Sequence, residues 1–327
     1  MNVLEPRMIK QQARMILEQT QPDYRKTVAL HSAVSLGALV LVLILDILLS
    51  GAMAQTGGLS GIGARSILGT AQGVLSTAVN ILLPFWELGI LYTSVRVVRR
   101  QNREFSMLTR GFYRLGPVLR YWLAQIVLYS VVAMVLTNAV TILTAFLPVP
   151  AELENAMAQI NMQAITDPEQ LMAQLPVEQI LSAAMPVLIL FSVAYGAVLI
   201  HFGYRFRLSQ YLLIDEERLG ALAALGISNR LTAGNKWNLF KLDLSFWWYY
   251  ALQLGSVAIA YAPELLALAG VKLPVPAAVA TLLFYILYAA AGLALSWWAG
   301  AYVQTAYACA YEELCAPPEN CPVIDAQ

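Results

Sequence analysis

Along this chain the apolar positions do not alternate with polar ones. They run together in long blocks of Leu, Val, Ala and Ile, separated by short polar connections. A helix needs roughly 20 predominantly apolar residues to cross a bilayer. Six blocks reach that length, at about 28–53, 67–95, 118–147, 181–203, 244–266 and 274–303. The alternating ten-residue pattern of a transmembrane barrel is missing. The pattern therefore predicts an all-α polytopic membrane protein with six transmembrane helices, folded as a single membrane domain over 1–327.

Charge then orients the spans. The N-terminal segment carries five basic residues, the connection between spans two and three carries seven, and that between spans four and five carries six. Only Arg65 and Lys272 fall on the opposite side. Lys and Arg are retained on the cytoplasmic side, so both termini are expected there, with residues 304–327 as a cytoplasmic tail. The outer connection 148–180 is acidic and holds no Lys or Arg. A cleaved signal peptide is not expected at the N-terminus, because a signal core has roughly 7–15 apolar residues and the first block is far longer.

Each basic segment also carries an apolar stripe. Met8, Ile9, Met15, Ile16 and Leu17 accompany Arg7, Lys10 and Arg14; Phe105, Leu108, Phe112 and Leu115 accompany Arg110 and Arg114; Leu219, Leu222, Leu225 and Ile227 precede Arg230. Basic amphipathic helices lying in the membrane interface are predicted before spans 1, 3 and 5. The order of interfacial helix, outgoing span and returning span recurs three times, a weak internal repeat.

Composition supports this picture. Hydrophobic residues make up 59% of the chain and charged ones 12%, about half the share in a soluble domain. Acidic and basic residues balance at 20 each, so no net field points to a nucleic-acid partner.

Candidate chemistry is sparse. Gly58-Leu59-Ser60-Gly61 spells the Gly-x-Ser-Gly of intramembrane serine proteases. His31 and His201 lie near the opposite ends of their spans, across a core about 30 Å thick, so no dyad with Ser60 is expected. A His-Glu-x-x-His helix and a phosphate-binding Gly-x4-Gly-Lys-Ser/Thr loop are both missing. Cys309, Cys315 and Cys321 are spaced too widely for paired zinc ligands. No cofactor and no metal are predicted.

Intramembrane acids carry more weight, since a charge at mid-bilayer costs about 2.5–3.5 kcal/mol and marks function by default. Glu87 lies three residues after Pro84 and about 12 Å from one end of span two. Asp46 lies about 10 Å from the outer end of span one. The two depths differ by about 14 Å, so the acids do not form one carboxylate pair. Asn80 and Asn138 lie nearer the depth of Asp46. Each acid has two readings: a functional site, or a carboxyl satisfied by a polar neighbour.

The run from Ser228 to Trp247, with Gly234-Asn235-Lys236-Trp237, Leu239-Phe240 and Leu244-Ser245-Phe246, is the most distinctive segment. It resembles the signature of a bacterial family of integral membrane proteins labelled domain of unknown function 975. The helix from Ile9 to Leu17 and the segment from Ala301 to Leu314 are similar to the family's opening and closing segments. The family usually has Gly-Trp after the Ser-Phe entry, where this chain has Trp247-Trp248. The resemblance implies a bacterial plasma membrane location and transfers no activity. On physical grounds Arg110, Arg114, Arg230, Lys236, Trp237 and Lys241 are candidate contacts to lipid headgroups or the membrane interface.

Two functional readings follow. In the first, the chain is a non-enzymatic scaffold or accessory protein in the bilayer, binding a membrane protein partner or anionic lipid. In the second, it is a small-solute, ion or lipid transporter or channel using Glu87 and Asp46. A lipid-modifying membrane enzyme ranks last, since no cluster of acids and histidines shares one depth.

Overall fold

A computed structural model describes residues 4–20, 23–55, 59–101, 104–145, 177–271 and 274–315. Helices dominate, and among the described residues there is no strand. In chain order they are α1 Pro6–Thr20, α2 Asp23–Gln55, α3 Leu59–Val98, α4 Leu115–Ala145, α5 Val177–Arg205, α6 Ser209–Asp215, α7 Ala221–Leu231, α8 Lys236–Leu244, α9 Trp247–Ala260, α10 Ala262–Leu268, α11 Ala277–Leu295 and α12 Ala301–Cys315. A ten-residue 3₁₀ segment, Phe105–Arg114, precedes α4, and a π-helical turn, Ser296–Gly300, joins α11 to α12.

Among the described residues five helices are long and apolar enough to cross a membrane, or six if the pair α9 and α10, bent by 64°, counts as one span. With that pair counted, the helices match the six apolar blocks of the sequence. The fifth is broken because Pro263 opens α10; proline disfavours helical geometry in the residue before it. The flanks of the long helices carry exposed Leu, Ile and Val, such as Ile67 and Leu254 at 71% each. Continuous apolar cladding of that kind suits lipid.

The described residues group into two compact units. The smaller, Tyr121–Tyr204, holds most of α4 and α5, with the rings of Phe191 and Tyr195 stacked at 5.8 Å. The larger, residues 1–120 and 205–327, contains everything discussed below. Most of the acidic connection 148–180, together with Lys272 and Cys321, lies outside the described residues.

In the larger unit, α1 turns only part of its predicted apolar stripe onto protein, and Met8 and Met15 stay exposed. Ile9, Ala13 and Leu17 are buried, and α1 packs against α12. Leu17 joins Tyr24, Val28, Ile90, Val97, Leu108 and Ala301 in the core. Small residues on α12, Ala301, Ala306, Ala308 and Ala310, are fully buried and let neighbouring backbones approach. The predicted tail from 304 is thus a helical continuation of span six as far as Cys315.

The segment before span three is not the predicted α-helix. Its buried face is Leu108, Gly111 and Arg114, a three-residue spacing that matches the 3₁₀ period. Phe105, expected on the apolar face, is exposed. The segment lies backbone to backbone on α3. A methyl group at Gly89 would collide with the Leu108 carbonyl, and one at Gly111 with the Phe85 carbonyl. Two glycines therefore permit the contact.

Candidate functional site

Glu87 opens into a cavity of about 290 Å³ enclosed by α2, α3, α9, α11 and the π-turn. The polar lining comes from three sets of residues. From α2 come His31, Ser32 and Ser35; from α9, Tyr249, Gln253 and Ser256; from α11 and its continuation, Tyr288, Ser296 and Gln304. Spacings of three and four residues, from His31 or Ser32 to Ser35 and from Tyr249 through Gln253 to Ser256, place the first two sets each on one helical face. The third set is drawn from α11, the π-turn and α12.

His31 is fixed from two directions. Its ring stacks on Trp86 with centroids 5.4 Å apart and planes within 2°. Its Nε2 lies 3.2 Å from the Trp86 carbonyl, while Trp86 Nε1 donates to the His31 carbonyl at 3.1 Å. A carbonyl only accepts, so Nε2 carries the proton in that bond. Glu87 Oε2 lies 3.8 Å from the same nitrogen. The Glu87 side chain is 55% exposed, whereas that of His31 is 6% exposed. Among the described residues Glu87 is the one acid on the lining, and no Lys or Arg lines it. The carboxylate therefore faces hydroxyls, amides and open volume, with no cation beside it.

The other predicted intramembrane residues do not join this site. Asp46 lies fifteen positions beyond His31 on α2, about 22 Å along the helix axis. Its Oδ1 is buried without a hydrogen-bond partner. Asn80 donates to the Ser76 carbonyl at 2.8 Å, and Asn138 to the Met134 carbonyl at 2.7 Å, both within their own helices.

The basic candidates divide. Arg110 pairs with Glu217 and lies over the Tyr92 ring, 5.5 Å from its centroid. Arg114 is buried and donates to the carbonyls of Leu213 and Glu216, and to those of Glu217 at 2.7 Å and Leu219 at 3.1 Å. It closes the end of α6, where carbonyls are left without helical donors. Lys236 is partly exposed, while Arg230, Trp237 and Lys241 stand on the surface. Trp237 stacks on Phe240 at 5.0 Å, with Lys241 Nζ 5.8 Å from its centroid.

Sequence reasoning missed two ionic clusters. Arg207 grips Asp243 with two hydrogen bonds at 3.0 and 2.9 Å, and Tyr307 donates to the same carboxylate at 2.6 Å. Arg99 grips Asp215 at 2.7 and 2.6 Å and also bonds Glu312 at 2.7 Å, while Tyr311 donates to Asp215 at 2.9 Å. Partial burial works against the Arg99 charge, but the hydrogen bonds to Asp215 and the charges of Asp215 and Glu312 outweigh it. They hold the guanidinium above its ordinary value. Both clusters tie α12 to the segments between the spans.

The distinctive 228–247 run also has a mechanical role. The Ser228 hydroxyl donates to the Arg205 carbonyl at 3.2 Å and accepts from the Leu208 amide at 3.1 Å. Thr232 donates to the same Arg205 carbonyl at 3.2 Å. Asn235 accepts from the Leu4 amide at 3.2 Å, beside Gly234 at φ 80°. The run therefore pins the exit of α5 and the start of the chain.

The described residues thus form a helical protein whose long apolar helices suit a membrane, with a polar cavity among them. The chain belongs to the family described as protein of unknown function DUF975, whose profile matches residues 25–317. No curated protein and no solved structure matches it.

Proposed function

We propose that this protein is a non-enzymatic carrier of a small ammonium-bearing solute, held at Glu87 in the plasma membrane with both chain termini cytoplasmic. The observation that carries this reading is the Glu87 carboxylate, which opens into a polar cavity among membrane-crossing helices and has no cation beside it. Intramembrane acids that face a cavity mark solute and ion pathways. Broken helices beside a binding site are common in carriers, and single π-turns recur at functional sites. The bend after α9 and the π-turn after α11 both belong to helices that line this cavity.

The test is uptake of radiolabelled tetramethylammonium, an ion that does not cross lipid unaided, into vesicles containing the full chain. Saturable uptake is expected, reduced at least about tenfold in Glu87→Gln, where the fixed charge is lost. Uptake no faster than in protein-free vesicles overturns the proposal.

A second reading, a scaffold for a membrane partner or anionic lipid, is favoured by the exposed Arg230, Trp237 and Lys241. Basic and aromatic groups on one short segment suit an anionic membrane surface. On that reading, replacing all three weakens flotation with anionic vesicles, and Glu87→Gln has no effect.

A further inference from the structure

A second depression lies beside the cavity. It has a volume of about 540 Å³ and runs between α2 and α11, lined only by apolar side chains. Ala33, Gly37, Ala289 and Ala290 keep it open, with Leu41 and Ile44 along its length. Leu36 lines both the cavity and this groove. Leu36 also rests against Gly292, where an added Cβ would lie 3.1 Å from Leu36 Cδ1. One leucine side chain, seated over a glycine, is thus common to a polar chamber and an apolar channel.

The two spaces differ in chemistry and follow one another along α2. The cavity takes residues 28–39 of that helix and the groove residues 33–44. The groove spans about 16 Å of helix rise, close to half of a hydrocarbon core about 30 Å thick. Its long dimension therefore matches a single acyl chain of one leaflet. The polar chamber lies at the end of α2 nearer its start, where the span begins.

Resting on the carrier reading above, we infer that the ligand is an amphiphile, with an ammonium head against Glu87 and one alkyl chain in the groove. Charge selects the head: Glu87 is the single charged side chain on the cavity wall, so a cation is neutralised there and an anionic head is repelled. Serine hydroxyls and the amides of Gln253 and Gln304 add hydrogen bonds for polar atoms next to the ammonium. Leu36 swings aside to let the chain leave the chamber for the groove.

Binding of radiolabelled dodecyltrimethylammonium and tetramethylammonium to the full chain in lipid nanodiscs, corrected with empty nanodiscs, tests this. The two probes share a head and differ in the chain. One dodecyltrimethylammonium is expected per protein. Gly37→Leu, which fills the groove, is expected to weaken dodecyltrimethylammonium by about tenfold or more, since alkyl burial is lost, and to leave tetramethylammonium unchanged. A Cβ at Gly37 meets nothing within 4 Å, so the first atom of the new side chain is accommodated. Ala290→Leu, on the opposite wall, is expected to act alike.

If both groove variants bind both probes as the parent does, the amphiphile inference is overturned and the small-solute reading stands. If Glu87→Gln leaves both probes unchanged, the cavity reading itself fails, and the inference fails with it.

Discussion

Two kinds of carboxylate occur in the larger unit, and they are treated in opposite ways. Asp243 and Asp215 each sit in an arginine fork with a tyrosine hydroxyl as third partner. Their side chains are 16% and 10% exposed. Glu87 has a histidine nitrogen at 3.8 Å, which itself bonds a carbonyl, and the Ser35 hydroxyl as a hydrogen-bond partner, but no arginine fork. The first two acids hold elements together between the spans. The third is left open inside a span, where an unmatched charge is most costly. Asp46 is also unmatched, with Oδ1 buried and without a partner, but Glu87 is the one that opens into a cavity a ligand can enter.

The largest expected effect is on the matched side. Asp243→Ala leaves Arg207 and Tyr307 without their acceptor, and removing one partner of a mostly buried pair costs about 3 kcal/mol. Thermal unfolding in detergent should show that loss, and a double-mutant cycle with Arg207→Met should recover part of it through coupling of the pair. If Asp243→Ala is as stable as the parent, the distinction between structural and open acids collapses. Arg114→Met comes next. It removes the donor to the carbonyls of Leu213, Glu216, Glu217 and Leu219 in and after α6, of which Glu216 keeps the Leu219 amide, and the loss of these charge-assisted bonds is expected to cost about 2 kcal/mol. Proteolysis between α6 and α7 should accelerate in step.

The same contrast explains what was legible in the sequence. Six spans could be read because apolar length alone dictates them, and the bend at Tyr261 is foreshadowed by Pro263. Glu87 stood out because its cost in lipid is local and independent of neighbours. Its cavity did not, since Tyr249, Gln253, Ser256, Ser296 and Gln304 are each unremarkable in a membrane helix. Only their meeting from separate elements makes them a site. The helix type of 105–114 was hidden because each single step, from Leu108 to Gly111 and from Gly111 to Arg114, is a three-residue spacing that an α-helix also shows. The arginine forks were invisible for another reason: Arg99 and Asp215 are 116 positions apart, and no local pattern links them.

On the open side the expected stability change is smaller and its sign differs. Glu87→Gln keeps the shape and removes an unmatched charge, so stability should hold within about 0.5 kcal/mol or rise. Binding of ammonium probes should fall in the same preparation. A loss of stability comparable to that of Asp243→Ala would place Glu87 among the structural acids.

The smallest effect compares two adjacent arginines at the end of α3. Arg99 is held in its fork, whereas Arg100 is exposed and adopts φ 55°. The Gln101 amide bonds the Arg96 carbonyl at 3.0 Å, and the Arg100 amide bonds the Val97 carbonyl at 3.1 Å. That pair of bonds is the Schellman closure, whose left-handed residue is usually glycine. A side chain in this conformation costs about 1 kcal/mol, so Arg100→Gly is expected to stabilise the protein by about 0.5–1 kcal/mol. Arg100→Asn should fall between the two, because asparagine tolerates the left-handed region better than arginine. The arginine also lines a depression with Gln12, Glu312 and Glu313. If Arg100→Gly is stabilising, as the backbone predicts, arginine stands there at a cost to the fold. If it is destabilising, the guanidinium contributes more through its neighbours than the backbone loses, and Arg100 joins Arg99 on the structural side.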